Sequence, residues 1–137
     1  MKNVLIIDDN VHSRKLVKFA LKSSGYNITE VDDGENALDI LLNSTPDLLI
    51  LDWVMPRLSG RAMIILLDNI LNQIERTKKS ENRHFKVIVY SSVKMGELRL
   101  PNSKRFKYLS YVSKNWNMNR QIERLKQIST TKLGQAS

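Results

Sequence analysis

Leu48-Leu49-Ile50-Leu51-Asp52-Trp53-Val54-Met55-Pro56-Arg57-Leu58-Ser59-Gly60 opens as an unbroken apolar run and stops on an aspartate. A short run without polar alternation reads as a strand buried on both faces, the pattern of a parallel sheet. Upstream, Val4-Leu5-Ile6-Ile7 has the same character and also stops on acid, Asp8-Asp9. Asn27 to Val31 and Val87-Ile88-Val89-Tyr90 read alike, and Tyr108 to Val112 more weakly. Helical periodicity fills the gaps: Val11 to Leu21 before Gly25, then Ala37, Leu38, Leu41 and Leu42, then Ala62 to Ile74. Met118, Ile122, Leu125 and Ile128 form one face of a last helix. A helix is also expected within Val93 to Phe106, short or broken because Pro101 fits only at a helix start, end or kink. Strand and helix thus alternate five times, which predicts a parallel α/β sheet with helices on both faces.

The chain has 137 residues, 42% of them hydrophobic and 26% charged, the range of an ordinary globular domain. It has no cysteine and only His12 and His84 as histidines, which excludes disulfide frameworks and iron–sulfur clusters and disfavours a zinc enzyme. The longest apolar run is far short of the roughly 20 residues that a membrane-spanning helix needs. No targeting segment is recognisable, so a cytoplasmic location is expected. Charge is unevenly spread: residues 1–68 carry a net −3 and residues 69–137 a net +11, for +8 in total. That asymmetry predicts a cation-seeking site in the first half and an anion-seeking surface in the second.

In an open parallel sheet, ligands bind beyond the carboxyl ends of the strands. Those ends carry Asp8-Asp9, Asp52, Ser91-Ser92 and, after the fifth strand, Lys114. Taken singly, each is ordinary: an acid at a strand end is usually a helix cap or a solvated charge, and a lone lysine belongs to the surface. Together they predict a pocket. If strands one and three are neighbours, three carboxylates meet there and at least one pKa must rise unless a cation relieves them. Mg2+ suits, since it takes one or two carboxylates and keeps waters that a phosphate can replace.

These residues resemble the receiver domain of bacterial response regulators. Asp52 to Gly60 resembles the family's D-x-x-M-P-x-x-x-G loop, and Asp33-Gly34-Glu35-Asn36-Ala37-Leu38 its G-x-x-A-L helix opening. The resemblance implies a flavodoxin-like (βα)5 sheet of order 2-1-3-4-5. It implies Asp52 as phosphoacceptor, with Asp8, Asp9, Asp52 and the Trp53 carbonyl holding Mg2+. Ser91 and Lys114 would contact the phosphoryl group, and Tyr111 would be the switch aromatic. The implied donor is a histidine kinase or histidine phosphotransfer protein. The face made by the fourth helix, fifth strand and fifth helix would dock a protein partner. Nearly the whole chain is covered, with a receiver over residues 1–129, a short frayed tail over 130–137 and no separate output domain.

Three features depart from the family. Asn115 stands where proline is usual, which predicts a less constrained lysine loop. The Asp52–Ser91 interval is longer than usual, an excess expected in a basic loop, Arg76 to Lys86. Val54 and Val93 fall at the positions that, in the family, flank the pocket and tune loss of the phosphoryl group; apolar side chains there cannot orient an attacking water, which predicts slow hydrolysis. Arg99, Lys104, Arg105 and Lys107 form a candidate interaction surface for an acidic protein or, by charge alone, for nucleic acid. Two rival readings follow: a pseudo-receiver acting without phosphorylation, and an adaptor binding nucleic acid through its basic half. No base-reading motif, phosphate-binding P-loop or dinucleotide fingerprint is present.

Overall fold

A computed structural model describes residues 2–78 and 83–135. Five strands, β1 (Asn3–Ile7), β2 (Asn27–Val31), β3 (Leu48–Leu51), β4 (Phe85–Ser91) and β5 (Phe106–Ser113), form one sheet in the order β2-β1-β3-β4-β5, with every pairing parallel. The helices are α1 (Val11–Leu21), α2 (Gly34–Asn43), α3 (Gly60–Lys78) and α4 (Met118–Gln135). The predicted fold class and strand order are those found.

Alternation along the strands builds two cores. Leu5, Ile7, Leu49, Leu51, Val87 and Val89 pack with Ala37, Leu41, Met63 and Leu67 of α2 and α3. Val4, Ile6, Leu48, Ile50, Ile88 and Tyr90 pack with Val17, Ala20, Leu21, Leu125 and Ile128 of α1 and α4. With both faces covered, the central strands have no solvent side, hence their unbroken apolar runs. β2 departs from that expectation. It is an edge strand with Asn27, Thr29 and Glu30 exposed, and only Ile28 and Val31 turn partly inward.

Side chains fix all four helix starts, that of α4 through Asn117 Oδ1, which accepts the Arg120 N–H at 2.9 Å. Asn10 Oδ1 accepts the Ser13 N–H at 3.0 Å before α1. Asp33 Oδ1 accepts the Asn36 N–H at 2.7 Å before α2, and Ser59 Oγ the Ala62 N–H at 3.1 Å before α3.

The helix expected within Val93 to Phe106 is absent; the segment holds one 3-10 turn, Met95–Glu97. Pro101 disfavours the helical conformation at Leu100, and Arg99 is left-handed, with φ 48°. The segment is instead strapped over the sheet. Leu98 is buried, the Trp53 indole N–H donates to the Leu98 carbonyl at 2.8 Å, and Arg61 Nε donates to the Arg99 carbonyl at 2.8 Å.

The expected basic loop is also reassigned in part. Arg76 and Lys78 lie in α3, which takes up much of the long interval, and Lys86 lies in β4. Residues 79–82 of that loop are outside the described residues. At the other end, α4 continues past Thr130, where a tail was expected, to Gln135.

Candidate functional site

Strand register brings the acids together. Ile7 pairs with Val31 on one side and Leu51 on the other, and Leu51 pairs with Val89. The ladder runs one residue further: the Asp8 N–H donates to the Val31 carbonyl at 3.1 Å and the Asp52 N–H to the Ile7 carbonyl at 2.9 Å. Asp8 and Asp52 therefore leave neighbouring strands at the same level. Carboxylate oxygens of Asp8, Asp9 and Asp52 all lie within 4.8 Å of one another. Asp8 is 1% exposed and Asp52 is also buried, while Asp9 faces solvent.

Glycine shapes the floor. A Cβ on Gly60 would lie 2.4 Å from the Asp52 carbonyl oxygen, and one on Gly34 would lie 2.7 Å from the Leu58 carbonyl. Only a residue without a side chain lets α3 begin against the end of β3 and α2 against the following loop.

Lys114 closes the pocket. Its Nζ lies 2.8 Å from Asp8 Oδ2 and 3.3 Å from Asp52 Oδ2, and sits above the Tyr90 ring at 5.2 Å from the centroid. Asp8 Oδ1 accepts the Asn10 N–H at 2.9 Å, and its buried Oδ2 is the oxygen that meets the Lys114 ammonium. Burial raises the Asp8 carboxyl above its ordinary pKa against the pull of Lys114. Burial, and then the charge of Asp8, push the Asp52 carboxyl up to about 6. One ammonium does not satisfy three acids, and a dication with oxygen ligands fits this unmet demand.

The loop carrying Lys114 is well fixed, contrary to the expectation from Asn115. The Asn115 N–H donates to Ser113 Oγ at 3.0 Å and its side-chain amide to the Ser92 carbonyl at 3.1 Å. The Lys114 N–H donates to the Ser91 carbonyl at 2.9 Å. Gln121 of α4 reaches back through Nε2 to the carbonyls of Lys114 at 3.2 Å and Trp116 at 2.6 Å, and its Oε1 accepts from the buried Tyr90 hydroxyl. Arg14 donates to the Asp8 carbonyl at 2.8 Å. Arg14, Tyr90 and Gln121 escaped the sequence reading, since each acts through a contact that no motif spacing records.

Ser91 is buried at the end of β4, where its Oγ accepts the Val93 N–H at 3.2 Å. The Tyr111 hydroxyl donates to the Val93 carbonyl and its ring stands edge-on to Trp116. The Trp53 carbonyl accepts the Gly60 N–H at 3.0 Å at the joint with α3. Arg105 is buried rather than set out on the surface as the sequence suggested. It is 7% exposed and held by Asp68 at 3.0 Å, Asn72 at 2.7 Å and both Glu75 oxygens at 2.8 Å. Lys104 and Lys107 are exposed near the start of β5, and Arg99 lies on the strap after the 3-10 turn.

A doubly wound parallel domain with three carboxylates and a lysine at the strand ends is the architecture of a phosphoryl-type receiver. The sequence matches the response regulator receiver domain over residues 4–126, and the chain belongs to that family. The phosphate regulon regulator PhoB of Pseudomonas aeruginosa is 36% identical over 59 residues, covering 43% of this chain and 26% of that protein. The chain thus spans about a quarter of such curated relatives. Response regulator TrrA of Thermotoga maritima, solved in complex with Mg2+ and BeF, superposes with a TM-score of 0.61 at 30% identity, over 93% of this chain and 99% of that one. Chemotaxis protein CheY4 of Vibrio cholerae shares the fold, with a TM-score of 0.60 at 19% identity over 93% and 98%. Among the described residues no helix is long and apolar enough to cross a membrane.

Proposed function

We propose that the domain is a phosphoryl-accepting switch of a cytoplasmic two-component system, in which Asp52 receives the phosphoryl group of a partner's phosphohistidine. The observation that carries this reading is the acid triad within 4.8 Å, with Lys114 reaching two of its members. Asp8, Asp9 and Asp52 would hold Mg2+, which when bound neutralises the carboxylates and the incoming phosphoryl oxygens. TrrA, with its Mg2+ and BeF, supports the assignment by analogy.

In the transfer, an Asp52 carboxylate oxygen bonds to phosphorus as the bond from phosphorus to the donor imidazole nitrogen breaks, its electron pair staying on that nitrogen. Lys114, already 3.3 Å from Asp52 Oδ2, moves onto a phosphoryl oxygen and leaves Asp8. The Ser91 hydroxyl gives up the Val93 N–H and donates to a second phosphoryl oxygen. Since the Tyr111 hydroxyl is bonded to the Val93 carbonyl, the shift of that loop carries Tyr111 with it and biases the β5 surface between two states.

The donor, a histidine kinase or phosphotransfer protein, approaches along a groove of about 500 Å³ between α1 and α4, lined among others by Leu16, Phe19, Lys114, Met118 and Ile122. Phe19 and Met118 are exposed there, a surface that suits the apolar face of a helix bearing the histidine. The domain accepts a group and passes on a signal by docking; it is not a turnover enzyme. Labelling with acetyl phosphate tests the reading. Incorporation should need Mg2+ and vanish in Asp52→Ala; a wild-type protein that takes no label with Mg2+ present refutes it and leaves an interaction module.

A further inference from the structure

The far end of the sheet, away from the acids, carries its own feature. A groove of about 640 Å³ runs along the starts of β1, β3, β4 and β5, with Lys2, His84, Lys86, Lys104 and Lys107 on its walls. Lys86 and Lys107 are register partners on adjacent parallel strands, beside the stacked Phe85–Phe106 pair. Like charges so placed repel and destabilise the pairing. Among the described residues Lys86, Lys104 and Lys107 form no ion pair, and Asp47 is the one acid among the groove's lining residues. Of the nearby acids, Asp68 and Glu75 are taken by Arg105, and Asp47 Oδ2 accepts the Asn3 N–H at 2.7 Å.

We infer that this groove binds the phosphate backbone of nucleic acid without reading sequence. Three properties select that partner. Protein–protein interfaces are poor in lysine and rich in aromatic rings, whereas nucleic-acid interfaces are strongly cationic. Among the described lining residues the only phenyl, phenol or indole ring, Phe85, is 1% exposed and stacked on Phe106, so no large aromatic face is offered to a base or a mononucleotide. Lysine ammonium groups on flexible stems match a backbone of repeated point charges rather than a planar carboxylate. The site is separate from Asp52, so binding does not depend on the phosphoryl chemistry proposed above.

Fluorescence anisotropy with a labelled random-sequence duplex tests this directly. The wild type should bind at about 50 mM salt, with a slope of log affinity against log salt near −3, about one for each unpaired lysine. Lys86→Gln/Lys107→Gln, which removes the repulsion and should fold at least as well, should bind on the order of tenfold more weakly and lose about two from the slope. Asp52→Ala should bind as the wild type does. The matched control Lys15→Gln/Arg120→Gln, at the acid end, should change affinity less than about twofold. Equal losses in the two double variants would show diffuse charge and overturn the site. Absence of duplex binding would also overturn it, as would displacement by poly-glutamate at lower charge concentration than duplex, which would assign the groove to an acidic protein.

Discussion

Asp52 is an acid kept where acids are costly. Its carboxyl is raised from 3.8 to about 6, so between those values the folded protein holds more protons than the unfolded chain. The metal-free domain should therefore lose stability as pH rises from about 4 to about 6. At pH 7, Asp52→Asn should raise the stability of the metal-free domain by about 1–3 kcal/mol. Mg2+ at millimolar level should raise the wild-type Tm and leave the variant nearly unmoved. Calorimetry with and without chelator checks this, and a Tm that Mg2+ leaves unchanged in the wild type would remove the metal assignment. Val54 makes a second case. Its side chain is 60% exposed at the pocket mouth and holds no polar atom. Val54→Asn gives an attacking water a hydrogen-bond partner, so the phosphoryl group should decay about tenfold faster than from the wild type. Equal decay rates, followed by loss of label after removal of acetyl phosphate, would refute that role.

Between β4 and β5 the family's helix gives way to a strap whose carbonyls at Leu98 and Arg99 are held by Trp53 and Arg61. The strap is thus tied to the residue beside Asp52. Two arginines from the basic half perform comparable work. Arg83 caps the end of α2, donating to the Leu42 carbonyl at 2.8 Å and to Thr45 Oγ1 at 2.8 Å. Arg105 joins α3 to the sheet, and its guanidinium holds the Glu75 carboxyl below its ordinary 4.5. A depressed carboxyl stabilises the fold above its unfolded pKa, and that contribution is lost as pH falls below about 4.5. Arg105→Ala leaves two acids without their partner and should cost about 3–5 kcal/mol at pH 7. Its stability should also fall less steeply on acidification than that of the wild type. Denaturant titrations at pH 7 and pH 4 measure both; a variant as stable as the parent would show the cluster to be idle.

Across the domain the charges sort by the two ends of the sheet. The carboxyl ends gather Asp8, Asp9 and Asp52, and the amino ends gather Lys86, Lys104 and Lys107. Parallel strands make this separation possible, because every strand starts at one end and finishes at the other. A residue's place along its strand then decides which pole it joins. Under the two proposals above, a phosphoryl donor would meet Lys114 and Mg2+ at one pole, and an extended polyanion the lysines at the other.

The central strands, the acid pair Asp8–Asp9, Asp52 and the D-x-x-M-P-x-x-x-G loop were legible because they rest on local rules. Continuous apolar runs mean two covered faces, and motif glycines mean close approach, as Gly60 shows against the Asp52 carbonyl. What escaped depended on partners distant in the chain. Nothing around Arg105 tells a buried joint from a surface charge until Asp68, Asn72 and Glu75 of α3 arrive beside it. Likewise Asn115 reads as a missing proline until Ser92 and Ser113 stand within hydrogen-bond reach. Periodicity and spacing belong to the chain itself, so they determined the sheet and the acids at its strand ends; desolvation and ion pairing belong to the assembled neighbourhood, so only tertiary structure decided which basic residues hold the fold and which stay exposed.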